Sequence, residues 1–290
     1  MISTLARSMY RDSLRAKGRS RMHHPSLVET LLLTRVCDLD EAMRDPKLQE
    51  FIEGFQPSYL LVALPKSSST YCTLALAKIL DVEIYKDIVT QDVFTPKDLS
   101  IPGIVNARNR RTISQVHLTA TGANIRIIRN FRLPFVILLR NMLDVVVSMR
   151  DHMNVNPFFS SILIPNDYTK LSETEKLDYI IDTAVPWMIT FYTSWMQSYL
   201  RGDVECEFFF YEDMVRNPVK FFQDVYARFG RQVSTSNLTN VLTEVEKSFE
   251  TRFNVGVPGR GSAELSRTQI DKIRRHTRYY PGIDFTLIGL

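Results

Sequence analysis

Cysteine is scarce in this chain of 290 residues: Cys37, Cys72 and Cys206 are the only three, an odd number, far apart and without Cys-x-x-Cys or Cys/His ligand spacing. That excludes a disulfide framework and a structural zinc site and fits a reducing compartment. Long apolar runs are missing as well. Stretches such as Phe135 to Leu139 and Phe208 to Phe210 fall far short of a membrane span, and residues 1–20 have no apolar core of the secretory type, so a cytoplasmic protein without a membrane span is expected. Neither sign of charge dominates: 36 Lys+Arg against 32 Asp+Glu leave a formal net charge of +4, spread along the chain. A bias that mild argues against a nucleic-acid partner and suits a small anionic ligand. The 11 glycines and 13 prolines are dispersed rather than gathered into a linker, and no repeat of 20–50 residues or low-complexity tract occurs.

With 44% hydrophobic and 23% charged residues the chain is long enough to bury a large core. The expected organisation is a single domain over residues 25–290 preceded by a basic segment at 1–24. In that segment Arg7, Arg11, Arg15, Lys17, Arg19 and Arg21 accompany one acid, Asp12. The helical spacing of Arg7, Arg11 and Arg15 reads as a basic helix lying on the domain, and an organelle transit peptide is the alternative.

Along the chain a short apolar run, a turn and a helix-period segment recur, the alternation of a central parallel sheet flanked by helices. Tyr59 to Leu64 reads as a buried strand followed by Pro65 to Thr70 and a helix over Tyr71 to Leu80. Phe135 to Leu139 precedes Arg140 and a helix from Met142 to His152, and Cys206 to Tyr211 precedes a helix around Val219 to Phe229 that Gly230 ends. A shorter strand is expected at Ile113 to His117. Residues 153–172 lack a period and read as a binding loop or lid, and Pro186 should kink or divide the helical stretch 173–200. Beyond Ser234 a helix, an irregular stretch from Phe253 to Gly261 and a last helix near Ser266 to Thr277 are expected.

On this scaffold Lys66, Arg140 and Tyr211 stand at or just beyond the carboxyl ends of strands, where open α/β sheets bind ligands. The loop Lys66-Ser67-Ser68-Ser69-Thr70 offers a lysine, four hydroxyls and the N–H groups of a helix start, which match a phosphate-sized anion; the other reading is a serine-rich cap with a solvated lysine. It is not the Gly-x-x-x-x-Gly-Lys-Ser/Thr loop of nucleoside triphosphatases, since neither glycine is present. Arg140 and Ser148, about two turns apart, suggest a second anion site, with a structural ion pair as the alternative for Arg140.

Pro65-Lys66-Ser67-Ser68-Ser69-Thr70-Tyr71 resembles the Pro-Lys-Ser-Gly-Thr-Thr-Trp loop of sulfotransferases that use 3′-phosphoadenosine-5′-phosphosulfate (PAPS). Arg140-Asn141-Met142-Leu143-Asp144-Val145-Val146-Val147-Ser148 is similar to their Arg-Asn-x-x-Asp-Val-x-Val-Ser segment, Tyr211-Glu212-Asp213-Met214 to their Tyr-Glu-Asp-Leu/Met, and Val116-His117-Leu118 to their Thr-His-Leu-Pro. Four motifs in the family's order over residues 59–230 imply its P-loop-kinase-like fold. They also imply PAPS as cosubstrate without a metal, and transfer of a sulfuryl group to a hydroxyl or amine of an acceptor.

By that resemblance His117 is the general base, with His152 the runner-up, and Lys66 stabilises the leaving phosphate. Ser67, Ser68, Ser69 and Thr70 hold the 5′-phosphate, Tyr71 and Tyr211 lie by the adenine, and Arg140 and Ser148 grip the 3′-phosphate. The sequence departs from the pattern at Ser68, Tyr71 and Thr119, which stand where the family has glycine, tryptophan and proline. It also departs at Asn254 and Val255, where the family has a basic pair. Arg252 or Arg260 then supplies that charge, Arg260 being preferred because it lies beside Gly259 inside the glycine loop. The apolar residues Phe158, Phe159, Ile162, Leu163 and Ile164 suggest a lid over a small-molecule acceptor or simple core packing. No copy of the family's dimer motif is recognised, and oligomeric state is left open. The rivals are a kinase-like enzyme, which the missing Walker glycines oppose, and a non-catalytic nucleotide-binding relative.

Overall fold

The computed structural model describes residues 26–90, 98–155, 164–165, 167–247 and 257–290. The basic segment 1–24, the lid residues Phe158, Phe159, Ile162 and Leu163, and Arg252, Asn254 and Val255 lie outside them.

Five parallel strands form one sheet in the order β2-β3-β1-β4-β5: β1 Ser58–Ala63, β2 Glu83–Ile84, β3 Thr112–Val116, β4 Phe135–Leu139 and β5 Phe208–Phe210. Every residue of β1 and β4 is buried, which is why both read as continuous apolar runs rather than alternating ones. Alternation survives in which side each residue faces. Leu60 and Val62 join one core with Ile137 and Leu139, while Tyr59, Leu61 and Ala63 join the opposite core with Val136 and Leu138.

Helices cover both faces. Three short ones lead in, α1 Leu27–Leu33, α2 Leu39–Ala42 and α3 Pro46–Glu53, before α4 Ser69–Leu80, α5 Ile101–Ala107, α6 Gly122–Asn130 and α7 Met142–Val155. Then follow α8 Glu173–Thr183, α9 Val185–Leu200, α10 Tyr211–Arg216, α11 Pro218–Arg228, α12 Thr235–Lys247, α13 Arg260–Glu264 and α14 Arg267–Arg275. The second core is packed by α4, α11 and α12 through Cys72, Leu76, Phe222, Val225 and Leu242; α7, α8 and α9 pack the first through Val146, Ile180 and Trp195.

Local chemistry sets these boundaries. Pro186 divides the stretch 173–200 as expected, sitting at the start of α9, where its missing N–H has no intrahelical partner to lose. Gly230 adopts φ +69 just beyond α11, and Arg231 N–H returns to the Tyr226 carbonyl to close that helix. Serine capping boxes open α8 (Ser172 with Glu175) and α14 (Ser266 with Gln269). Among the described residues no helix is long and apolar enough to cross a membrane.

Register positions the site. Val62 pairs with Val116, Ala63 with Leu138, and Leu139 with Phe210, so β3, β1, β4 and β5 end level with one another. The next residues, His117, Arg140 and Tyr211, and the loop from Leu64 to Ser68 therefore share one edge of the sheet. This edge flanks the central strand, where consecutive connections depart in opposite directions and an open parallel sheet leaves a crevice.

Candidate functional site

The loop from β1 to α4 is built on two residues with positive φ, Lys66 at +65 and Ser68 at +62. Ser67 is buried and directs both its N–H (3.3 Å) and its hydroxyl (2.6 Å) to the Leu64 carbonyl. Both Ser67 donors are thus engaged within the turn, so its contribution is the shape of the loop. Ser68 is the N-cap residue of α4 in left-handed backbone, and its side chain makes no capping bond. Position 68 is where the family resemblance placed a glycine, and the left-handed φ explains that preference. Ser69 and Thr70 form the first turn of α4, where backbone N–H groups lack intrahelical acceptors and the helix dipole is positive. Ser69 is buried and Thr70 exposed.

Arg140 follows β4 and is 7% exposed. One guanidinium nitrogen donates to the Lys66 carbonyl at 2.7 Å, and its carbon lies 4.0 Å from the centre of the Tyr211 ring. Its Nε is one of two buried side-chain atoms, among the described residues, that have no hydrogen-bond partner. Burial pushes the Arg140 pKa down, with Tyr211, Asp144 and Glu212 opposing it. A buried cation with an unmet donor at the sheet edge has the chemistry to receive an anion. Ser148 is buried on α7, eight residues on.

The two tyrosines expected beside an adenine are both buried. Tyr71 lies edge-on to Phe222 with ring centres 5.9 Å apart, and its hydroxyl reaches Glu246 at 3.4 Å. Burial raises its pKa, and Glu246 adds to the rise. Tyr211 turns its ring to Arg140, so its clearest role is to support that guanidinium. Nothing in the sequence singled out Glu246, which stands 175 residues from Tyr71.

His117 directly follows β3, and its Nδ1 is 2.7 Å from the Ala63 carbonyl. A carbonyl only accepts, so Nδ1 carries a hydrogen in this contact. His152 is in the last turn of α7, about 15 Å along the helix axis from Met142 by helical rise, which removes it from this edge.

Gly259 has φ +89 and opens α13. Its neighbour Arg260 is paired, with Asp151 at 2.8 Å and with Glu264 at 2.8 Å. Burial alone would raise the Asp151 carboxyl, but hydrogen bonds from Arg150 and Arg260 outweigh it and hold the carboxyl below its ordinary range. Arg260 shares both carboxylates with Arg150, which pairs with Asp151 and Glu264 at 2.6 Å each. The charge expected from Arg260 is thus part of an ion-pair network.

Fold and site together define a parallel α/β protein with a phosphate-type loop after its central strand and a buried arginine on the neighbouring one. The chain belongs to the sulfotransferase family: residues 56–261 match the family model for the sulfotransferase domain. None of the curated proteins matches the sequence. Among solved structures, mouse sulfotransferase SULT7A1 complexed with PAP is similar, at 17% identity and TM-score 0.58 over 84% of this chain and 92% of that one. The sulfotransferase from Alicyclobacillus acidocaldarius aligns at 15% identity and TM-score 0.42, covering 80% of this chain and 98% of that one. Retinol dehydratase in complex with androsterone and inactive cofactor PAP aligns at 12% identity and TM-score 0.45, covering 78% and 83%.

Proposed function

We propose that this sulfotransferase moves the sulfuryl group of PAPS to a hydroxyl or amine of a small-molecule acceptor, releasing 3′,5′-bisphosphoadenosine (PAP). The observation that carries the reading is Arg140, a buried guanidinium with an unpartnered Nε, tied through the Lys66 carbonyl to the loop at the start of α4. An unpartnered cationic donor at Arg140 and the free N–H groups at the first turn of α4 suit a nucleotide bearing phosphate at both its 3′ and 5′ positions. The neighbour crystallised with PAP supports the same ligand.

In this reading the backbone N–H groups of Ser68, Ser69 and Thr70 and the hydroxyls of Ser69 and Thr70 hold the 5′-phosphate, while Ser67 shapes the turn. Arg140 and Ser148 hold the 3′-phosphate, with Gly259 and Arg260 beside them. His117 takes the acceptor proton on Nε2 as the acceptor's oxygen or nitrogen bonds to sulfur and the bond from sulfur to the 5′-phosphate oxygen breaks. Lys66 faces the charge that develops on that oxygen. The small acceptor rests on the sequence, through the apolar residues Phe158, Phe159, Ile162, Leu163 and Ile164, of which only Ile164 is among the described residues, half-buried against the core. A cytoplasmic location rests on the three scattered cysteines, all free. The test is sulfuryl transfer from labelled PAPS to a panel of phenols, alcohols and amines, with PAP release counted. PAP formed in step with one sulfated acceptor supports the reading; label released only as inorganic sulfate, or none at all, opposes it.

Lys66→Ala is expected to lower turnover by about 10²–10³-fold and to weaken PAPS binding less, since the charge acts mainly on the leaving oxygen. Turnover at saturating PAPS decides it: an unchanged rate assigns Lys66 to solvent. Ser68→Gly is expected to keep PAP affinity and raise the melting temperature by a few degrees. Serine at φ +62 bears a strain of roughly 1–2 kcal/mol, partly offset by the greater freedom of glycine in the unfolded chain. Lost PAP affinity in that variant would assign the Ser68 hydroxyl to the phosphate directly.

A further inference from the structure

A buried arginine ordinarily takes a nearby carboxylate as its partner, and two stand close to Arg140: Asp144 and Glu212. Both are directed elsewhere. Glu212 accepts the N–H of Asn141 at 2.9 Å. Asp144, 2% exposed, uses both oxygens on the glycine loop, accepting Gly259 N–H and Gly261 N–H at 2.7 Å each. Short bonds from two N–H groups to one carboxylate are of the strong, charge-assisted kind.

The loop they hold has almost no slack. A Cβ on Gly261 would stand 2.2 Å from the carbonyl carbon of Leu143, so the backbone there lies directly against the first turn of α7. From this anchored loop Arg260 reaches Asp151. Residues 144, 148 and 151 share one face of α7 by helical spacing, so Arg260 runs along the face that carries Ser148. Its charge is near enough to Arg140 to depress the Arg140 pKa.

We propose that Asp144 is the positioning residue of the 3′-phosphate site: by accepting both glycine N–H groups it fixes Gly259 to Gly261 on the start of α7 and holds Arg260 along the Ser148 face. This rests on the PAP reading above. Asp144 touches no ligand atom in this account; it acts through the loop.

Asp144→Asn supplies one carbonyl oxygen where two are needed and turns an amide donor toward the second N–H. The affinity for PAP is expected to fall about 10–100-fold, the loss of a buried charge-assisted bond. The affinity for ADP, which has no 3′-phosphate, should change little. KM for PAPS should rise by more than kcat falls. Equal losses for PAP and ADP would reduce Asp144 to general support of the fold, and unchanged PAP affinity would remove it from the site; either overturns the proposal. Should Asp144→Asn fail to fold, Gly259→Ala disturbs the same loop through its φ of +89 with nothing within 4 Å of the added Cβ, and the same selective loss of PAP is expected. A wild-type protein that binds PAP no better than ADP would instead contradict the function on which the proposal rests.

Discussion

Turnover of His117→Ala is expected to fall by about 10²–10⁴-fold, the size of a general-base contribution, while PAP binding stays nearly unchanged. Two strands hold the His117 ring in place. It is the residue after β3, and its Nδ1–H donates to the carbonyl of Ala63, the last residue of β1. That bond places a hydrogen on Nδ1 and orients the ring, and Nε2 is the atom proposed to take the acceptor's proton. Since Ala63 leads within three residues to Lys66, the His117 ring is hydrogen-bonded to the strand end from which the phosphate loop departs. Rate and PAP affinity measured on the purified variant decide the matter. Retained turnover would place the base elsewhere, and His152, about 15 Å along α7, would need an acceptor bound in a very different pose.

Arg140→Ala is expected to remove the preference for PAP over ADP, weakening PAP by roughly 2–5 kcal/mol, the loss when one partner of a buried charged pair is truncated. Three observations set that size. The side chain is 7% exposed, so water screens the pair weakly; its Nε is unpartnered; and the Tyr211 ring 4.0 Å away fixes the guanidinium in orientation. The substitution also frees the Lys66 carbonyl that Arg140 now satisfies, so a smaller loss in ADP binding should accompany the larger one in PAP. Titration calorimetry with both nucleotides separates the two effects. Equal losses for PAP and ADP would mean that Arg140 supports the loop rather than reading a 3′-phosphate.

The sheet was legible in the sequence because its central strands are buried on both sides: Leu60 to Leu64 and Phe135 to Leu139 could only be short apolar runs ended by Pro65 and Arg140. β2 was not, since Glu83 and Ile84 are both exposed and held by parallel pairing to β3, a long-range contact without a local signal. Within the candidate site, Lys66, Arg140 and Tyr211 were legible from their places at strand ends, and His117 only through the motif it resembles. The sign of φ at Ser68 was inferable only from the glycine that the motif has there. The function of Tyr211 as a platform for Arg140, the pairing of Arg260 with Asp151 and Glu264, and the hold of Asp144 on Gly259 and Gly261 all join residues of distant segments. Register and helix packing decide those contacts, and a linear reading contains neither.

The central claim is that the edge formed by Arg140, Ser148 and the loop before α4 binds a nucleotide with a 3′-phosphate. Thermal unfolding of the unaltered protein with PAP, ADP or ATP tests it most directly, since a ligand at 100 times its dissociation constant stabilises the folded chain by about 2.7 kcal/mol. A clear rise in melting temperature is expected with PAP and a much smaller one with ADP and ATP at the same concentration. Equal shifts with all three nucleotides would contradict it.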